Sequence, residues 1–142
     1  MTVTDLIQKH EGLRLFPYND TVGKITIGYG RNLTDDGITD AEANLMFSDD
    51  LARVEESVAE AWPHFNQLDE VREAVILDMV YNMGLGDVLQ FKETLDAVAA
   101  GNWQAAHDGM LASKWAQQVG SRATEDATMM LTGNWPGEGS AT

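Results

Sequence analysis

Val3, Leu6, Ile7 and His10 recur at helical spacing and are followed by Gly12, which predicts a short helix over residues 3–11 with Glu11 in its last turn. From Leu13 to Leu33 the pattern changes to short apolar and β-branched runs broken by Pro17, Asn19-Asp20, Val22-Gly23 and Gly28-Tyr29-Gly30. That punctuation predicts a hairpin or small sheet, with Ile25 and Ile27 on one face and Thr26 and Gly28 on the other. Thr39-Asp-Ala-Glu42 reads as a capping box, after which Leu51, Val54, Val58, Ala61 and Trp62 form one stripe. The resulting helix runs from about 40 to 62, is ended with the help of Pro63, and is long enough to bridge two lobes.

Asp69 caps the next helix, in which Val71, Ala74, Val75, Ile76, Leu77, Met79, Val80 and Tyr81 leave little polar face before Gly84. A helix this apolar belongs at the centre of a bundle. Shorter helices are predicted over residues 92–100, 103–111 and 122–132, stopped by Gly101 and Gly133 where glycine follows, with one turn near 114–118. Met79, Met83, Met110, Met130, Trp103 and Trp115 fall inside these periodic segments, so they read as core packing rather than as a cofactor site. The end, residues 136–142, is small and polar and reads as a flexible tail. The fold class is α+β: a small N-terminal lobe of about residues 12–60 with a hairpin, a bridging helix, and a helical lobe of about 61–135 joined by the N-terminal helix. Substrate is expected in the cleft between the lobes.

Composition narrows the function classes. At 142 residues the chain can bury a core of its own, so a monomer is expected. It has no cysteine and therefore neither a disulfide framework nor a thiolate nucleophile. Its 3 histidines, His10, His64 and His107, lack metal-ligand spacing, and neither metal nor cofactor is expected. The N-terminus lacks a basic start with a long apolar run, and no stretch is apolar enough to insert in a membrane. A net charge of −14 opposes nucleic-acid binding. Asp49, Asp50, Glu55, Glu56 and Glu60 read as a solvated helix face.

Against that background Glu11, Asp20 and Thr26 stand out. Acetal cleavage needs a protonated acid beside the leaving oxygen and a second carboxylate serving the opposite face of the sugar. Glu11, at the negative end of a helix dipole with Leu13 and Phe16 nearby, suits the acid. Asp20, in a polar turn, suits the solvated partner, and Thr26 on the next strand is placed to hold a water. Each residue also has an ordinary structural explanation: helix-end glutamates, Asn-Asp turns and strand threonines are common. Gly28-Tyr-Gly30 is not a nucleotide fingerprint, because no helix follows it at once, and a calcium loop from Asp20 fails at Val22 and Lys24.

Glu11-Gly-Leu-Arg, Tyr18-Asn-Asp20 and Thr26-Ile-Gly-Tyr-Gly together resemble the signature of the phage-type lysozymes, glycoside hydrolase family 24. The similarity continues through Thr39-Asp-Ala-Glu-Ala, Asp78-Met-Val-Tyr-Asn-Met-Gly84, Ser113-Lys-Trp115, Ser121-Arg122 and Thr132-Gly-Asn-Trp135. The resemblance implies a muramidase that cleaves the β-1,4 bond between N-acetylmuramic acid and N-acetylglucosamine in peptidoglycan. Glu11 would be the acid, Asp20 the base or electrostatic partner, and Thr26 the residue that positions water. Inversion of configuration is implied, with the carboxyl groups roughly 6.5 to 9.5 Å apart. By the same matching Asn32, Tyr81 and Thr94 would contact sugar, although Tyr81 also reads as core and Thr94 as surface. Arg122 matches the family arginine that reaches the catalytic glutamate, and Arg31 and Asn82 would support the site.

Three functions follow from the resemblance. One is an endolysin made in the host cytoplasm, which needs a holin or equivalent membrane damage to act in the periplasm or on the wall. Another is a virion-associated lysozyme domain, and the last is a non-catalytic peptidoglycan-binding module, against which the intact Glu11, Asp20 and Thr26 set argues. The chain also departs from the family's best-known members. Arg31 stands where they often carry histidine, so a histidine–aspartate bridge from hairpin to helix cannot be assumed. A stretch before Thr39 is missing, which predicts a smaller lobe and a more open groove. Those members are basic, whereas this chain would be repelled by a polyanionic wall at low salt. A saline working environment removes that repulsion, so lytic activity is expected to hold or rise as salt is added; a steady fall from an optimum at low ionic strength would contradict this.

Overall fold

The computed structural model describes residues 1–138, and the last residues of the expected tail lie outside them. Residues divide into two compact units, Met1–Phe47 and Ser48–Thr142. The division lies inside the long helix, earlier than the expected border near residue 60, and the N-terminal helix belongs to the same unit as the hairpin. The mixture of one small antiparallel sheet with many helices is the α+β class expected.

In the first unit, α1 (Val3–Glu11) is started by Thr2 and Asp5, each side chain bonding the other's backbone N–H. Three antiparallel strands follow, β1 (Arg14–Asn19), β2 (Ile25–Gly28) and β3 (Arg31–Asn32), ordered β1-β2-β3. Tyr18 lies opposite Thr26 and Asn19 opposite Ile25, while the β1–β2 register shifts between Arg14 and Tyr18. Thr26 lies opposite Asn32 on the other side. A one-turn helix α2 (Leu33–Asp36) comes next, too short to show a periodic signal. The long helix α3 (Asp40–Ala61) begins with the anticipated box: Thr39 N–H donates to Glu42 Oε1 at 2.9 Å, and Glu42 N–H donates to Thr39 Oγ1 at 3.2 Å. Its acidic residues Asp49, Glu55, Glu56 and Glu60 are solvent-exposed, as their reading as a wet face requires.

The second unit continues with a 3-10 turn (Pro63–Gln67) and then α4 (Glu70–Met83), α5 (Leu85–Leu89), α6 (Lys92–Ala99), α7 (Trp103–Leu111), α8 (Lys114–Val119) and α9 (Ser121–Thr132). Helix α4 buries Val71, Val75, Ile76, Met79 and Val80, the central position its all-round apolar sequence predicts. Met79, Met110 and Met130 are among the most deeply buried side chains, and Trp115 joins the same core. Ala106 on α7 and Ala123 and Ala127 on α9 are fully buried, and their small side chains let those two helices approach closely.

Arg72 on α4 ties this core together. Its Nε donates to Met130 O at 2.8 Å and its Nη2 to Leu131 O at 3.2 Å, satisfying carbonyls that the end of α9 leaves open. The guanidinium lies 3.8 Å over the Trp103 ring of α7. Gly133 ends α9 at φ 72°, and a Cβ there would stand 2.9 Å from Arg72 Nη1. Gly133→Ala is therefore expected to lower stability by about 1–3 kcal/mol from backbone strain alone, with the collision adding to it. In urea unfolding the same change should cost less in an Arg72→Ala background, where only the strain remains; equal costs would show that the two residues do not interfere.

Candidate functional site

Five of the residues singled out lie in the first unit, Glu11 on α1, Asp20 on the β1–β2 turn, Thr26 on β2, and Arg31 and Asn32 on β3. Glu11 is the last residue of α1, where Gly12 turns the chain with φ 72° and donates its N–H to Gln8 O at 2.9 Å. The Glu11 carboxylate rests on the β2–β3 turn: a Cβ at Gly30 would stand 2.6 Å from Glu11 Oε2. This gives Gly30 two requirements, a positive φ of 76° and an absent side chain. Leu13 and Phe16, expected to desolvate Glu11, are instead 54% and 81% exposed, and Glu11 is exposed as well. That expectation is corrected: β1 is exposed along nearly its whole length, so its apolar residues build no wall around the acid.

Asp20 and Thr26 are organised by a single residue, Lys24. Asp20 Oδ1 accepts the N–H of Val22 at 2.9 Å and of Lys24 at 2.8 Å. The Lys24 carbonyl in turn accepts the Asp20 N–H at 2.9 Å and the Thr26 hydroxyl at 3.0 Å. Thr26 is buried, and its only hydroxyl proton is committed to Lys24, so toward any further partner its oxygen acts as an acceptor. Asp20 Oδ2 is the oxygen this turn leaves unbonded among the described residues.

Asn32, opposite Thr26, uses its amide locally: Oδ1 accepts the Asp35 N–H at 3.0 Å and Nδ2 donates to Asp35 Oδ2 at 2.9 Å. It caps α2, a role hidden from the sequence because α2 itself was not visible. Arg31 makes the hairpin-to-helix bridge that the missing histidine left open. Its Nη1 donates to Glu42 Oε1 at 2.8 Å and to Gly37 O at 3.1 Å, and its Nη2 to Glu42 Oε2 at 2.5 Å. The Arg31 guanidinium, followed by the Thr39 N–H, holds the Glu42 carboxyl down at about 2.

The remaining residues belong to the second unit. Tyr81 on α4 is 45% exposed and so does not belong to the core. Asn82 Oδ1 accepts the Trp115 Nε1–H at 2.9 Å, fixing the buried indole of α8 to the end of α4. Thr94 is buried on α6 rather than lying on the surface, and its hydroxyl faces α7 at Gly109, where any Cβ would collide with it. Arg122, in the first turn of α9, grips Asp78 of α4, with Nε–Oδ2 at 3.0 Å and Nη2–Oδ1 at 2.6 Å. The sequence reading gave Asp78, Gly30, Lys24 and Asp126 no role of their own in the site. Only Asp126 carried a visible signal, an acid sharing the helical face of Ala123, Ala127 and Met130. Among the described residues no group of three or more His, Cys, Asp or Glu is arranged to hold a metal ion.

Comparison with known proteins comes to the same stretch of chain. The family model described as phage lysozyme matches residues 8–127, which include every site residue named above. The pre-baseplate central spike protein Gp5 of Enterobacteria phage T4 is 30% identical over 162 residues, covering 94% of this chain and 28% of that protein. Probable T4-type lysozyme 1 of Dictyostelium discoideum is 27% identical, covering 93% of this chain and 95% of that protein. Probable T4-type lysozyme 2 of the same organism is 24% identical with the same coverage, 93% and 95%. This chain thus spans little more than a quarter of the spike protein and nearly the whole of the two lysozymes. The matched spans exceed the chain's own 142 residues, so each relative carries residues that this chain lacks.

Because Glu42 is held below its ordinary value of 4.5, its pair with Arg31 contributes stability above that value and loses it as pH falls toward about 2. Urea unfolding followed from near pH 6 to near pH 2.5 should show a smaller acid-induced loss in Glu42→Gln than in the unaltered chain; identical slopes would contradict the assignment.

Proposed function

The chain belongs to the phage lysozyme family, whose members are glycoside hydrolases acting on peptidoglycan, and on that premise we propose that it is a muramidase. It cleaves the β-1,4 bond between N-acetylmuramic acid and N-acetylglucosamine. The observation that carries this reading is the shared Lys24 carbonyl, which ties Asp20 and Thr26 to one turn with their free oxygens available.

In this mechanism the Glu11 carboxyl protonates the glycosidic oxygen as the bond to the anomeric carbon breaks. A water that donates one proton to Asp20 Oδ2 and the other to Thr26 Oγ1 keeps its lone pairs free for that carbon. The commitment of the Thr26 proton to Lys24 supports the acceptor role the step requires. Asp20 then takes up the water's proton as the new bond forms, and the product inverts. Gly30 allows the Glu11 carboxylate to lie directly on the β2–β3 turn, which restricts where the acid can point.

We assign the protein to host lysis as an endolysin acting as a monomer, released to the wall by a holin or equivalent membrane damage. The match to nearly the whole of two proteins named as probable T4-type lysozymes supports the lysozyme part of this reading. The identity to part of a spike protein supports a second reading, the same chemistry carried by a virion protein. A binding module without catalysis would not need Glu11, Asp20 and Thr26 together.

Turbidity clearing of outer-membrane-stripped cells should fall by about 10²- to 10⁴-fold in Glu11→Gln, the usual contribution of a general acid. Equal clearing by the two proteins would remove Glu11 from the mechanism. The anomer released first, read by NMR, should be the inverted one, and a retained product would make Asp20 a nucleophile.

A further inference from the structure

Helix α9 carries one acid on its buried face. Asp126 is only 4% exposed and shares that face with Ala123, Ala127 and Met130, and its Oδ2 has no hydrogen-bond partner among the described residues. The Asp78 carboxyl of α4 bears directly on it, within reach of a hydrogen bond between the two should either carry a proton. Among the described residues the cation at the cluster is Arg122, with its Nε and Nη2 on the two oxygens of Asp78. Two carboxyl oxygens hydrogen-bond only if one of them carries a proton. Asp78 has the guanidinium to balance its charge and Asp126 has none of its own, so the proton belongs on Asp126.

We propose that Asp126 is a positioning residue: as a neutral carboxylic acid it donates to Asp78 and orients the carboxylate that holds Arg122 in the first turn of α9. This rests on the muramidase reading only for its link to catalysis. Arg122 needs such a hold, because a cation in the first turn of a helix faces the positive end of the backbone dipoles.

The electrostatics agree with the geometry. Burial, then the hydrogen bond to Asp78 and the Asp78 charge, push the Asp126 carboxyl up to about 8, with Glu125 adding slightly and the Arg122 charge opposing. Asp78 moves the other way, held below the usual carboxylate range first by its bond to Arg122. The two titrate as a pair, one acid and one carboxylate. The charges that bear on Asp126 are therefore Asp78 from α4 and Arg122 and Glu125 from α9 itself. Of the other helices packed on α9, α7 carries His107 and Asp108, which pair with each other at 2.8 Å, and α8 carries Lys114.

A group held neutral in the folded chain but ionised in the unfolded one binds more protons when folded. Stability is therefore fully present below the unfolded value and is lost as pH rises through the folded one. The test uses the full chain and Asp126→Asn, whose amide can still donate to Asp78 but cannot ionise. Carbon-13 NMR should show one aspartate carboxyl titrating far above the ordinary range, a signal absent from the variant. The urea midpoint should fall between about pH 5 and pH 9 in the parent and less in the variant. The ratio of wall-clearing activity near pH 9 to that near pH 6 should rise severalfold in Asp126→Asn, because Arg122 keeps its seat when no second charge appears beside Asp78. Titration of Asp126 in the ordinary carboxylate range, or equal pH slopes of stability, would overturn the protonated pair. A high titration with an unchanged activity ratio would overturn the positioning role. NMR and unfolding need no lytic activity, so they decide the proton even if the muramidase reading fails.

Discussion

A guanidinium ties α4 to α9 at two places along the pair. Arg72, near the start of α4, donates to carbonyls in the last turn of α9, while Arg122, in the first turn of α9, grips Asp78 farther along α4. The two ends differ electrostatically. Arg72 is a cation at a helix C-terminus, where the backbone dipoles favour it, and it also draws α7 in through the Trp103 ring. Arg122 sits at the unfavourable end and depends on the Asp78 carboxylate. Between these ties Val75, Ile76, Met79, Ala123, Ala127 and Met130 are buried against one another, so the polar ends fix a register that apolar packing alone would leave looser.

The first unit is built on a different balance. Three short strands and a nine-residue helix bury little apolar side chain, since α1 buries none and β1 is almost wholly exposed. Hydrogen bonds made by side chains, to backbone and to one another, take the place of a core. Asp20 closes its turn, Thr34 Oγ1 accepts the Ile25 N–H at 2.8 Å, Asn32 caps α2, and Arg31 joins the β3 edge to α3 through Glu42. Residues proposed for chemistry and residues that hold the architecture are consequently the same or adjacent. The Lys24 carbonyl that accepts the Thr26 proton is also the one that closes the Asp20 turn.

Much of this was legible along the chain. The capping pair Thr39 and Glu42, the central burial of α4, the methionine core and the positions of Glu11, Asp20 and Thr26 follow from periodicity and spacing. Short elements were not legible: α2, α5 and the 3-10 turn are each a turn or so long and leave no periodic trace. Several site residues also changed meaning once their partners were visible. Asn32 became a cap, Asn82 an anchor for Trp115, and Thr94 a buried hydroxyl beside Gly109.

What the sequence determined by itself is therefore what depends on neighbours along the chain: helix periods, caps, turn chemistry and the order of an acid, a second acid and a hydroxyl. Tertiary structure alone decided which distant groups share a proton or a charge. Nothing in the spacing of Asp78, Arg122 and Asp126 says that the guanidinium sits on the first carboxyl and leaves the second to be buried beside it, or that Gly30 lacks a side chain because a carboxylate occupies its place. The reason is physical: local propensities act over a few residues, whereas burial and charge pairing act through space between segments that the fold brings together.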